Sequence, residues 1–349
     1  MPHLVSENEL RADLALAVAE AILCARIDYC KLPARGGVSI DAPGGGRMAS
    51  QAKSPAVAGV YRRLREFGDA FTPEVIGENL KLFAALHEGE PFADVEITRD
   101  LRYGDDERHR LNVFQAKGTA KTARPVLVFV HGGGFIGGDK SMPGMPFYDN
   151  VGVWGARHGM VGVNITHRHA PKHPWPAGSE DVAAALQWIR QNIDPHGGDP
   201  QQIFLMGQSA GAAHVAQFLA HARFDSPDRQ ALAGAVLVSG LYDTNTMDKN
   251  PLFKAYFGED ASLYAERSAL PGLAESSVPL LATLAEFDPL DFKRQYVQLL
   301  RACLEEKRGL PKLAWLAGHG HLSGILAVNT EHDFLGDRIL EFVESRAAR

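Results

Sequence analysis

From residue 95 onward the chain alternates short apolar runs of strand length with helix-forming segments, and that alternation restricts its fold more than any other feature. Eight runs qualify as strands: 95–101, 110–115, 126–130, 161–165, 203–206, 235–239, 280–285 and 312–316. Strands interleaved with helices build a largely parallel sheet covered by helices on both faces, so an α/β fold is predicted. The first two runs, joined by the charged turn Gly104-Asp105-Asp106-Glu107, read instead as an antiparallel hairpin. With 349 residues, 45% hydrophobic and 22% charged, the chain can bury one large core.

One strand-to-helix junction carries chemistry. Gly207-Gln208-Ser209-Ala210-Gly211 follows the apolar run 203–206 and precedes a small-residue helical stretch, 212–220. A serine on so tight a turn has a strained backbone, and side chains two positions before and after it would collide. Glycine at both positions removes the collision. The turn lifts the hydroxyl above the sheet, at a helix N-terminus that favours developing negative charge. In a chain with 35 glycines the plain alternative is a glycine-rich turn that ends a buried strand.

A second glycine-rich stretch decides between the two. His131-Gly132-Gly133-Gly134-Phe135 directly follows the apolar run 125–130. Three glycines in a row cost backbone entropy and supply no packing, so they belong where bare N–H groups must approach something closely. A phosphate loop fails on spacing: Gly133 and Gly138 stand five apart, but Asp139 comes next and Lys140 one place late. A dinucleotide fingerprint fits poorly, because no helix with an acidic ribose partner follows at the right distance. The remaining reading is an oxyanion hole, with donors from this loop and from Ala210, the residue after the serine.

The segment before the first strand has its own pattern. Ser6 and Glu9 make a capping box ahead of the stripe Leu10, Leu14, Val18 and Ile22. Residues 32–53, rich in Gly, Pro, Ala and Ser, read as a linker or a surface excursion. Ser54-Pro55 opens a second helix with Val57, Tyr61 and Leu64 inward and Gly68 as its stop. Thr72-Pro73 opens a third, with Ile76, Leu80, Phe83 and Leu86 or His87 on one side, ended by Gly89.

A net charge of −6 argues against nucleic acid or an anionic membrane as the main partner. Cys24, Cys30 and Cys303 are odd in number and lack metal or redox spacing, which suits a reduced, cytoplasmic setting. The start, Met1-Pro2-His3-Leu4, lacks the basic opening and apolar core of a secretory signal. No uncharged run approaches the length of a membrane span.

The order of four motifs resembles that of the α/β-hydrolase carboxylesterases, in the branch related to hormone-sensitive lipase and the kynurenine formamidase-like esterases. The motifs are Phe129-Val130-His131-Gly132-Gly133-Gly134-Phe135, His167-Arg168-His169-Ala170-Pro171, Pro176-Ala177-Gly178-Ser179-Glu180-Asp181 and Gly207-Gln208-Ser209-Ala210-Gly211. The resemblance covers about residues 93–345. The second motif departs from the family's Tyr-Arg-Leu-Ala-Pro at His167 and His169, and these two, with His173, read as polar surface or site-edge residues.

The resemblance implies an α/β-hydrolase fold of eight strands with a helical cap, built from residues 1–92 and an insertion at about 241–277 in a catalytic domain of 93–349. The alternative for both stretches is packing on the flank of the sheet. It further implies a serine hydrolase cleaving short-chain or aryl carboxylic esters through an acyl-enzyme. Ser209 would be the nucleophile and Gly133, Gly134 and Ala210 the oxyanion donors. The acid would follow the seventh strand, where Asp288-Pro289-Leu290 matches the family's Asp-Pro-Leu and Glu286 and Asp291 are alternatives. The histidine would follow the last strand: His321 stands three residues after Gly318 and before an apolar residue, with His319 the alternative. A metal held by that His-x-His pair lacks a third ligand at a fixed spacing. No cofactor or metal is implied, and the partner is a small-molecule ester, with a homodimer left open. An arylformamidase or amidase would use the same machinery, and a non-catalytic receptor on this fold would be expected to lack the serine or the histidine.

Overall fold

The computed structural model describes residues 55–87, 92–118, 123–306 and 309–347. The capping box at Ser6 and Glu9, the linker 32–53, Cys24, Cys30 and Gly89 lie outside them. The chain divides into two compact units, Met1–Arg63 and Leu64–Arg349. The boundary falls within the helix Pro55–Phe67, which Gly68 ends in a left-handed conformation at φ 57°.

The helix Pro73–Ala84 begins as the sequence predicts. Thr72 caps it by accepting from the Val75 N–H, and Pro73 occupies the first turn, where no N–H is needed. It stops short of Gly89. The Leu86 N–H turns back to the Phe83 carbonyl at 2.9 Å, so the last turn tightens and leaves Leu86 and His87 beyond the helix.

The eight strands are β1 (Val95–Arg102), β2 (Arg110–Ala116), β3 (Arg124–Val130), β4 (Val161–Ile165), β5 (Gly198–Gln208), β6 (Gly234–Val238), β7 (Leu280–Phe287) and β8 (Lys312–Gly320). They form one sheet in the order β1-β2-β4-β3-β5-β6-β7-β8. β1 pairs antiparallel with β2 and β2 with β4, while every other pair is parallel. Two strands outrun their apolar signal. β5 begins at Gly198, where the polar residues 199–202 hide it in sequence, and Arg124 pairs with Gly198 across an irregularity in the ladder. β8 continues through His319 to Gly320.

Helices cover both faces. Ala177–Asn192, Ala210–Ala220, Leu270–Glu275 and Leu290–Glu305 bury Leu186, Val215, Leu273 and Leu299 against one face, formed by Val128, Leu205, Leu237 and Ala282. On the other, Val153 of the helix Asp149–Arg157 joins Phe114, and Phe342 of Phe334–Ala347 meets Phe204 with ring centroids 6.0 Å apart. Val126 through Val130 are all at most 1% exposed, as a strand covered on both sides must be.

Between β6 and β7 the chain forms the short helices Pro251–Phe257, Tyr264–Arg267 and Leu270–Glu275. Asn250 caps the first by accepting from the Phe253 N–H. Phe253, Tyr256, Phe257 and Tyr264 pack with Phe135, Ala210 and Ala213 in a separate apolar cluster. This segment is thereby fastened to the glycine-rich loop and to the helix after Ser209.

Candidate functional site

Ser209 sits between β5 and the helix Ala210–Ala220 with φ 56° and ψ −121°, in a region that side-chain-bearing residues seldom occupy. Its N–H is held by the Val238 carbonyl of β6 at 2.9 Å. The flanking glycines are required by contact. A Cβ on Gly207 would stand 2.4 Å from the Gly211 carbonyl oxygen, and one on Gly211 2.1 Å from that of Val130.

Three buried side chains meet there. Ser209 Oγ lies 2.9 Å from His321 Nε2, and His321 Nδ1 lies 2.7 Å from Asp288 Oδ1. A carboxylate can only accept, so Nδ1 carries the proton and Nε2 presents a lone pair to the serine hydroxyl. Asp288, fully buried, also accepts from the Ala285 N–H and the Ser239 hydroxyl, both at 2.7 Å and both on Oδ2. The rings of Phe71 and Phe292 stand 4.8 and 4.1 Å from the His321 ring and limit water at the imidazole.

The alternatives go elsewhere. His319 bonds the Ser323 hydroxyl at 3.0 Å, Glu286 accepts from the Gly318 N–H, and Asp291, in the first turn of Leu290–Glu305, accepts from the Asp248 N–H. Burial raises the Asp291 carboxyl above its ordinary range.

Gly133 turns at φ 133°, where a Cβ would stand 2.0 Å from the Gly137 carbonyl oxygen, so no other residue fits. Gly133, Gly134, Ser209 and Ala210 line one cavity of about 560 Å³, walled by Phe71, Ile76, Leu80, Met142, Leu241, Met247, Leu252, Phe253 and Phe292. Its volume suits a small organic ligand, and its walls are mostly apolar. The Gly133 and Gly134 N–H groups donate to no atom among the described residues.

The second and third motifs meet as a brace. Arg168 donates to Asp181 from its N–H at 2.6 Å and from Nε at 2.8 Å, which pins the loop after β4 to the helix Ala177–Asn192. His173 is partly exposed and stands 4.0 Å from Asp106. His167 is not a surface residue: it is fully buried, because the extended stretch after β4 passes beneath the glycine-rich loop. Its ring stacks on His131 at 4.3 Å and meets His214 at 4.6 Å, with His169 at 5.5 Å. Burial holds all four imidazoles below their ordinary pKa, His169 at about 4. His214 was not singled out in the sequence, since a lone histidine in an alanine-rich helix carries no motif.

Comparison with known proteins fits this architecture. The family described as alpha/beta hydrolase fold matches residues 127–309, just over half of the chain. Esterase LipC of Mycobacterium tuberculosis is 28% identical over 253 residues, covering 64% of this chain and 59% of that protein. Carboxylesterase NlhH of the same organism is 42% identical over 92 residues, covering 25% and 26%. The chain spans about half the length of the curated relatives it matches. The crystal structure of esterase B from Lactobacillus rhamnosis superposes with a TM-score of 0.64 at 15% identity, over 83% of this chain and 97% of that one. With its sheet order, its serine elbow and this match together, the chain belongs to the alpha/beta hydrolase fold family.

Proposed function

We propose that this protein is a carboxylic ester hydrolase that works through an acyl-enzyme on Ser209. The observation that carries the reading is the unbroken line from Ser209 Oγ through His321 to Asp288, opening on an apolar cavity. The relatives named as esterases support the same reaction class.

Ser209 Oγ attacks the ester carbonyl while its proton passes to His321 Nε2. The carbonyl oxygen becomes an oxyanion, held by the N–H groups of Gly133, Gly134 and Ala210. When the intermediate collapses, the bond to the alcohol oxygen breaks and His321 gives that oxygen the proton. Water then repeats the sequence on the acyl-enzyme: His321 takes a proton from water, the hydroxide adds to the carbonyl, and Ser209 leaves with the proton. Asp288 keeps the imidazole in the right tautomer and stabilises its charged form.

The stretch 241–277 and the segment around Phe71 to Leu80 act as the cap, a role supported by Leu241, Met247, Leu252 and Phe253 from one and Phe71, Ile76 and Leu80 from the other on the cavity wall. Among the described residues no helix is long and apolar enough to cross a membrane. The cytoplasmic setting rests on the odd number of cysteines and their lack of metal or redox spacing, and a homodimer is compatible with β8 as an edge strand of the sheet. The direct test is a phosphonate ester carrying a good leaving group: it should label Ser209 stoichiometrically, seen as one added mass on the peptide holding residues 207–211. Labelling at another residue would refute the reading.

A further inference from the structure

Asp288 is held from two directions. Its Oδ2, the oxygen turned away from His321, accepts from the Ala285 N–H and from the Ser239 hydroxyl. Ala285 lies three residues away on the same turn and moves with the acid. Ser239 comes from the end of β6, a different strand, and is 2% exposed. The residue before it, Val238, holds the N–H of Ser209. Val238, the last residue of β6, and Ser239, which follows it, therefore fix the nucleophile through a carbonyl and the acid through a hydroxyl.

The backbone makes the choice of serine informative. Ser239 has φ 48°, a left-handed conformation that glycine would adopt more readily, and its N–H is tied to the Thr283 carbonyl at 3.2 Å. What serine adds over glycine is the hydroxyl, and the hydroxyl donates to Asp288. A buried carboxylate oxygen needs donors in place of the water it has lost.

We propose that Ser239 is a positioning residue for ester hydrolysis: its hydroxyl holds the Asp288 carboxylate aimed, with Oδ1 toward His321 Nδ1. The proposal rests on the reading of Ser209, His321 and Asp288 as the working triad.

The test measures kcat, KM and the pH profile of kcat/KM on p-nitrophenyl butyrate for Ser239→Ala, Ser239→Gly, Asp288→Asn and Ser239→Ala combined with Asp288→Asn. Loss of a hydrogen bond to a charged group should lower kcat about 10-fold or more and leave KM within about twofold. The acid limb should move to higher pH, because charge on the carboxylate then concentrates on Oδ1 and favours the imidazolium. Ser239→Gly should match Ser239→Ala although its backbone is relaxed, and it carries the test alone if the alanine variant fails to fold. On top of Asp288→Asn, Ser239→Ala should cost little more. An unchanged kcat and acid limb in the glycine variant, with Asp288→Asn inactive, would overturn the role of Ser239 alone. So would an equal loss on top of Asp288→Asn. Full activity in Asp288→Asn would overturn the triad reading and the role together.

Discussion

Replacing His214 by leucine should make the protein markedly less sensitive to acid. His214 is fully buried beside Phe135, Tyr256 and His167, and neither ring nitrogen has a hydrogen-bond partner among the described residues. Burial, reinforced by His167 and His169, holds its pKa well below 6.5. Its proton is therefore bound in the unfolded chain before it is bound in the folded one. The stabilising contribution is complete above pH 6.5 and is lost as pH falls below that value, until the folded group titrates. His131 and His167, also fully buried and lowered mainly by burial, act the same way. Arg108 adds to the effect at both, while Asp181 opposes it at His167. One pH unit below 6.5 an imidazole held well below that value, as His214 and His131 are, costs about 1.4 kcal/mol, and His167 adds in the same direction. Asp333 works in the other direction: burial pushes its carboxyl up to about 7, so it stabilises the fold as the pH drops. The difference between wild type and His214→Leu cancels that term. Urea unfolding at pH 7.5 and 5.5 should show the variant losing about 1.4 kcal/mol less than wild type across the interval. Parallel losses would mean that His214 is protonated inside the fold or is not buried.

Ser209→Ala should lower kcat on an activated aryl ester by about 10⁴ or more while circular dichroism stays unchanged, and a folded variant keeping over about a tenth of the activity would place the nucleophile elsewhere. His321→Ala should abolish turnover and His319→Ala retain it, with Asp288→Asn likewise far more damaging than Glu286→Gln; either reverse ranking would move the assignment. Gly211→Ala should give an unstable or inactive protein, because its Cβ would stand 2.1 Å from the Val130 carbonyl oxygen, and a melting temperature equal to wild type would contradict that contact. In a p-nitrophenyl acyl series, kcat/KM should be highest at roughly two to eight carbons, since each methylene gains only about 0.8 kcal/mol before the pocket is filled. A rate that climbs through long-chain esters, or faster turnover of a matched aryl formamide, would defeat the short-chain ester reading.

The sheet was legible because its strands are buried on both faces. Val126 through Val130 have no polar position to alternate with, and such a run, repeated between helices, has few other homes. The extensions of β5 and β8 were hidden for the opposite reason. Residues 199–202, Asp-Pro-Gln-Gln, fall in the irregularity between the Arg124–Gly198 and Val126–Ile203 pairs and carry no apolar run, while Gly318 and Gly320 place glycine where a strand signal wants branched side chains. The serine elbow was legible because its backbone admits glycine alone at two fixed offsets, so a geometric requirement appears directly as letters.

His321 and Asp288 were named by position after strands and by likeness to a family pattern; residue types alone could not separate them from His319, Glu286 or Asp291. The supporting residues escaped altogether. Ser239 and His214 owe their environments to partners far away in sequence, Asp288 for one and His167 for the other, and no local spacing records either meeting. His167 shows the limit from the other side. Read locally, a histidine beside Arg168 in an extended stretch belongs at the surface. The brace between Arg168 and Asp181 instead keeps the arginine outward and partly exposed, and turns the preceding ring into the space beneath the glycine-rich loop. A motif's charged member can thus fix which of its neighbours is buried, and that information lies in the contact with Asp181 rather than in the stretch itself.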